Sequence, residues 1–126
     1  MLLGSLYPAA RAAGTYNGAA IHVTGWWECR VAVLTGDVPV GATLDVRVQE
    51  SSDGLAGWSD IQDAVFQRIY EDQDSTQFEG IVIVTNKRVA YFRAVADVAG
   101  GTVVFSVTMS VSRGQVPTVT PQWRIQ

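Results

Sequence analysis

The chain has 126 residues, a net charge of −3 from nine basic and twelve acidic side chains, and 48% hydrophobic residues. That length suits one domain with a sizeable core, and the composition is that of a folded rather than a disordered chain. No apolar run approaches the ~20 residues of a membrane-spanning helix, and the acidic balance offers no electrostatic footprint to a nucleic-acid backbone.

The opening Met1-Leu2-Leu3-Gly4-Ser5-Leu6-Tyr7-Pro8 lacks the basic start of a secretion signal, and Pro8 and Arg11 cut its apolar stretch short. A single cysteine, Cys29, excludes an internal disulfide and a multi-cysteine metal site. Residue usage then sets the class. The chain holds 19 Val against 6 Leu and 6 Ile. Branching at Cβ restricts χ1, lowers helix propensity and suits a pleated sheet, so the expectation is all-β, an antiparallel sandwich or jelly roll.

In chain order, residues 1–20 form an Ala/Gly-rich stretch without sustained period and read as an N-terminal arm. Strand-like runs fill residues 21–112. Trp27, Cys29, Val31 and Val33 alternate with Glu28, Arg30 and Ala32, and Leu44, Val46 and Val48 alternate with Asp45, Arg47 and Gln49. Residues 61–70 fit either a short amphipathic helix or two strands around a bend, and the β-rich surroundings favour strands. Phe78 to Val84 is apolar on both faces at Ile81-Val82-Ile83-Val84, which predicts a strand central in the sandwich or one whose second face another subunit covers. Val98-Ala99-Gly100-Gly101 has the look of a hairpin turn leading into Thr102–Ser112, where only Val104 breaks the alternation. Residues 113–126, with Pro117 and Pro121, make an extended C-terminal tail.

The search for chemistry is mostly negative. His22 is the only histidine, so neither a two-histidine metal site nor a well-supported catalytic triad is available, and its neighbours Ile21 and Val23 suggest an ordinary strand residue. Cys29 shares an apolar face with Val31 and reads as a small buried hydrophobe. The acidic run Glu71-Asp72-Gln73-Asp74 lacks the spaced ligands and turn glycine of a calcium loop. The expectation is a non-enzymatic protein with no catalytic residue, no metal and no cofactor.

Charge and large apolar groups are unevenly placed. Residues 1–24 carry +1, residues 25–97 carry −6, and residues 98–126 carry +2. Both mildly basic ends are tipped with apolar residues, Leu2, Leu3, Leu6 and Tyr7 at one and Trp123, Arg124 and Ile125 at the other. Such residues gain nothing in water, so the ends either pack on their own domain or reach neighbouring subunits, with Trp, Tyr and Arg as interface anchors. Trp26 and Trp58 are the alternative contacts, as stacking platforms for a glycan.

Two stretches carry a resemblance. The run Thr43-Leu44-Asp45-Val46-Arg47-Val48-Gln49-Glu50-Ser51-Ser52-Asp53-Gly54 with Gly57-Trp58-Ser59-Asp60-Ile61, and the run Asn86-Lys87-Arg88-Val89-Ala90-Tyr91-Phe92-Arg93-Ala94 leading to the strand Thr102–Ser112, resemble small structural proteins of tailed bacteriophages. The resemblance covers roughly residues 21–118 and contains no catalytic signature. It implies a virion component, a capsid decoration or cement protein on the outer surface of the head. Its implied partners are the major capsid protein and copies of itself, with a homotrimer as one form, and neither nucleic acid nor membrane is among them. A glycan-binding or tail-associated module is the alternative.

Overall fold

Among the described residues ten strands, all paired antiparallel, arise from the alternating runs. They are β1 (Leu2–Arg11), β2 (Gly14–Asn17), β3 (Ile21–His22), β4 (Glu28–Thr35) and β5 (Thr43–Ser51), then β6 (Ser59–Val65), β7 (Ile69–Tyr70), β8 (Gln77–Val84), β9 (Tyr91–Ala99) and β10 (Val103–Ser112). The computed structural model describes residues 2–36, 38–70, 77–85 and 90–112, with the side chains of 2–4, 77–82 and 84 left aside. The tail expected over 113–126 and the acidic run 71–74 lie outside the described residues.

The strands form two sheets. One is four-stranded in the order β1-β10-β4-β8; the other is six-stranded along β2-β9-β5-β6, with β3 also on β9 and β7 also on β5. Alternation decides which residues face inward. Val31, Val33, Phe105, Val107 and Met109 from the first sheet meet Leu44, Val46, Val48, Phe92, Ala94 and Ala96 from the second in one core. Phe92 and Phe105 are its largest fully buried side chains, and losing either ring would cost about 3–5 kcal/mol. The architecture is the antiparallel β-sandwich that the valine-rich composition predicts.

Several local expectations change. Residues 2–11, within the stretch read as an arm, form β1 and pair with β10 from Leu2↔Ser110 to Arg11↔Val103. Residues 14–17 form β2 and pair with β9 in the other sheet. The early period is hard to see because β1 has register shifts on both sides of Leu6 and contains Pro8, so no clean alternation survives.

Gly100 and Gly101 do not close a hairpin. β9 and β10 belong to different sheets, and the turn carries the chain across the sandwich. Both glycines take positive φ, and a Cβ at Gly100 would lie 1.9 Å from the carbonyl oxygen of Gly41, so the crossing depends on close backbone contact between two loops. Residues 61–70 are strands, with Phe66 N–H donating to Val46 O between β6 and β7. β8 is not central: it lies at the edge of its sheet, beside β4 alone among the described strands.

Candidate interaction surfaces

The two sheets turn chemically different faces outward. On the six-stranded sheet, odd-numbered residues of β5 and β9 point away from the core and join a polar ladder. Thr15 Oγ1 donates to Asp97 Oδ1 at 2.7 Å, and Arg47 donates to Asp97 Oδ2 at 2.5 Å and to Asp60 Oδ1 at 3.3 Å. Gln49 Nε2 donates to Asp60 Oδ1 at 2.9 Å, and Arg93 Nε and Nη2 donate to Gln49 Oε1 at 3.0 and 2.8 Å. Beside the ladder, Arg68 makes a two-pronged contact to Asp45.

The electrostatics follow the geometry. The Thr15 hydroxyl, with Arg47, holds the Asp97 carboxyl below the usual carboxylate range against the opposing effect of burial. Burial works against the Arg47 charge, but Asp97 and Asp60 outweigh it and raise its pKa. Hydrogen bonding to Asp45 raises that of Arg68. These are solvated pairs that add little to stability, and this face has matched its charges to one another.

The four-stranded sheet differs. Its outer register rows pair Ser106 with Leu34, Thr108 with Ala32, Ser110 with Arg30 and Ser112 with Glu28. Val104 and Leu34 are 44% and 46% exposed on this face. On β10 and β4 the only described charges, Glu28 and Arg30, pair with each other at 3.3 Å. The result is a neutral surface of small and apolar residues across β10 and β4. Val104 and Leu34 were not singled out from the sequence, although the lone break in the β10 alternation at Val104 was the signal.

The residues expected to make contacts are dispersed. Leu2 and Leu3 sit in β1 opposite Ser110 and Met109. Leu6 belongs to the core at 8% exposure and is spent within its own domain, because its inward register against Val107 buries it there. Tyr7 stands 77% exposed in the bulge beside it. Trp123, Arg124 and Ile125 lie outside the described residues.

The loops holding Trp26 and Trp58 lie at the same end of the sandwich, since His22 and Ser51, which precede them, both register with Tyr91. The connection from β3 to β4 holds Trp26, whose N–H donates to Val23 O, and the connection from β5 to β6 holds Trp58. Trp26, read from the sequence as a stacking platform, packs partly buried against the core instead. Trp58 is half-buried under the Arg93 guanidinium, 4.4 Å from the ring centroid. Its loop is pre-shaped: Asp53 Oδ1 accepts the Leu55 and Ala56 amides, Ser51 Oγ donates to Ala56 O, and Gly54 lies against the Tyr91 ring.

His22 is exposed and its ring lies 4.8 Å from that of Tyr91. Cys29 is buried, and burial pushes its thiol up to about 12, far from a nucleophile's range. Among the described residues, no three of His, Cys, Asp and Glu gather as a metal site would need. No family model and no curated protein matches the chain.

Proposed function

We propose that this chain is a non-enzymatic structural protein of a virion, a capsid decoration or cement protein on the outer surface of the head. Its partners are the major capsid protein and copies of itself. The observation that carries the reading is the division of labour between the sheets: one outer face has tied its charges into a ladder, and the other is a neutral, partly apolar surface. A soluble domain that acted alone would gain by charging both faces, whereas one that must lie on a larger assembly needs one face that desolvates at little cost. The resemblance of residues 43–61 and 86–112 to phage structural proteins supports the same reading.

The bridging surface in this reading is the outer face of β10 and β4 rather than a free N-terminal arm, because β1 is engaged with β10. Co-sedimentation with mature capsids that lack this protein tests the reading. Saturable binding at a fixed ratio to the shell subunit supports it, and absence of binding refutes it.

A glycan-binding or tail-associated role is the second reading. It is favoured by the rigid loop that presents Trp58 beside Gln49 and Asp60. The Arg93 guanidinium covers one face of that ring and Trp26 packs against the core, so Trp58 has one face for a sugar and no aromatic partner. Retention on a glycan array, lost in Trp58→Ala, would favour it.

A further inference from the structure

The four sheet edges are not equally protected. An edge strand exposes a row of backbone donors and acceptors, and proteins blunt such rows with short strands, bulges, prolines or charge. β1 carries Pro8 and two register irregularities against β10. The β2 and β3 edge of the other sheet consists of pieces of four and two residues. β6 has a register shift against β5, a left-handed Asp63 at φ 65° and a following break before the two-residue β7.

Of these devices β8 has only a single charge, Glu79. Its eight residues pair with β4 without a shift from Gln77↔Thr35 to Val84↔Glu28. Its sequence, Gln77-Phe78-Glu79-Gly80-Ile81-Val82-Ile83-Val84, contains no proline, no lysine and one charge. A straight apolar edge of this length in water is an open template for another strand.

We propose that β8 is a self-association edge, at which two copies of this chain pair β8 with β8 antiparallel across a twofold axis and join their four-stranded sheets. The strand's self-complementary register selects this occupant, because it keeps the single charge of β8, Glu79, from meeting its counterpart. Each copy carries −3, and two such bodies repel except where they meet over a neutral surface. The surface beside β8 is that neutral face, with Glu28 and Arg30 already paired. A twofold perpendicular to the sheet keeps both cores on one side. Centred on Ile81, it sets Phe78 opposite Val84 and Gly80 opposite Val82, and it keeps the two Glu79 positions out of register with each other. Main-chain bonds then supply affinity and the alternate apolar positions supply specificity, as in strand addition generally. The joined sheets would present one continuous outer face of eight strands.

The inference stands on edge geometry and not on the virion reading: solution mass tests the first, and shell binding tests the second. The experiment is sedimentation equilibrium of the full chain across a hundredfold concentration range, paired with amide exchange at the two extremes. The expected result is a concentration-dependent mass of twice 13.6 kDa, with amides of residues 77–84 exchanging at least tenfold more slowly at the high concentration. Val82→Glu, which places an acid opposite Arg30 within the monomer, should leave thermal unfolding cooperative while holding the mass at one chain. A mass of one chain for the unmodified protein throughout the range, or β8 amides whose protection is independent of concentration, would overturn the proposal.

Discussion

The Arg11 guanidinium lies 4.7 Å over the Phe105 ring while its Nη1 donates to the Phe105 carbonyl at 3.0 Å, so one side chain grips both the ring and the backbone of β10. Its Nη2 donates to Tyr7 O at 2.8 Å, and the rings of Tyr7 and Tyr16 flank it at 5.5 and 5.8 Å. Arg11 therefore closes the bulge of β1 and seats the strand on β10 at the point where the chain turns toward β2. Arg11→Ala should destabilise the fold by about 1–2 kcal/mol, the worth of a charged hydrogen bond to backbone with a cation–π contact. Arg11→Lys should recover only part of that, because an ammonium cannot divide itself between two carbonyls and a ring. Urea denaturation of the three proteins reads both effects. Deleting residues 1–11 should cost far more, because it strips a ten-residue strand and Leu6 from the sheet and core.

The crossing between β9 and β10 separates backbone strain from collision. Gly25 and Gly100 both have φ in the left-handed region, at 87° and 74°. A Cβ at Gly25 meets nothing within 4 Å, whereas one at Gly100 meets the Gly41 carbonyl. Gly25→Ala should therefore cost about 1 kcal/mol from conformation alone, and Gly100→Ala distinctly more. Paired thermal melts check the order, and equal costs would show that the loops around Gly41 and Gly100 yield easily.

Cys29 offers a test of core integrity. With its thiol pushed up to about 12 by burial, it should resist alkylation in the native protein at pH 8 and react once denaturant unfolds the chain. Mass spectrometry of samples quenched at increasing urea should place labelling on the unfolding transition. Rapid labelling without denaturant would contradict the packing of β4 between β10 and β8.

Asp97 supplies a pH dependence. Its folded-state pKa is lowered by Thr15 and Arg47, so its contribution is present at neutral pH and above the ordinary carboxylate value of about 4. It is lost as pH falls through the lower folded value. Stability should drop in the acid range below about pH 4, and Asp97→Asn should reduce that drop while lowering stability at pH 7 by less than about 1 kcal/mol, since the site is solvated. Denaturant midpoints between pH 2 and 7 for both proteins check the sign.

The fold class was legible because Cβ-branched alternation is local: β4, β5 and β10 each display period two within eight to ten residues. Sheet membership was not, because whether a glycine turn reverses a strand or carries it across a sandwich depends on a remote contact, here Gly100 against Gly41. β1 was hidden for a related reason. Its bulge and Pro8 erase the period, and the partner that makes it a strand lies about a hundred residues away in β10. The apolar doubling of residues 81–84 did register, yet position at a sheet edge is a property of topology and was open until the strand order was known. At the candidate surface, the ladder from Thr15 to Arg93 joins residues of four strands that nothing in their spacing connects.

The central claim is that the neutral face of the four-stranded sheet lies against the shell. Leu34, 46% exposed on that face, and Val65, 58% exposed on the charged one, allow a matched comparison. The decisive measurement is saturation binding of Leu34→Glu and Val65→Glu to capsids lacking the protein, with cooperative melting verified for each. The account predicts that Leu34→Glu weakens binding at least tenfold while Val65→Glu binds as the unmodified chain does. Loss of binding in Val65→Glu with Leu34→Glu unaffected would contradict it.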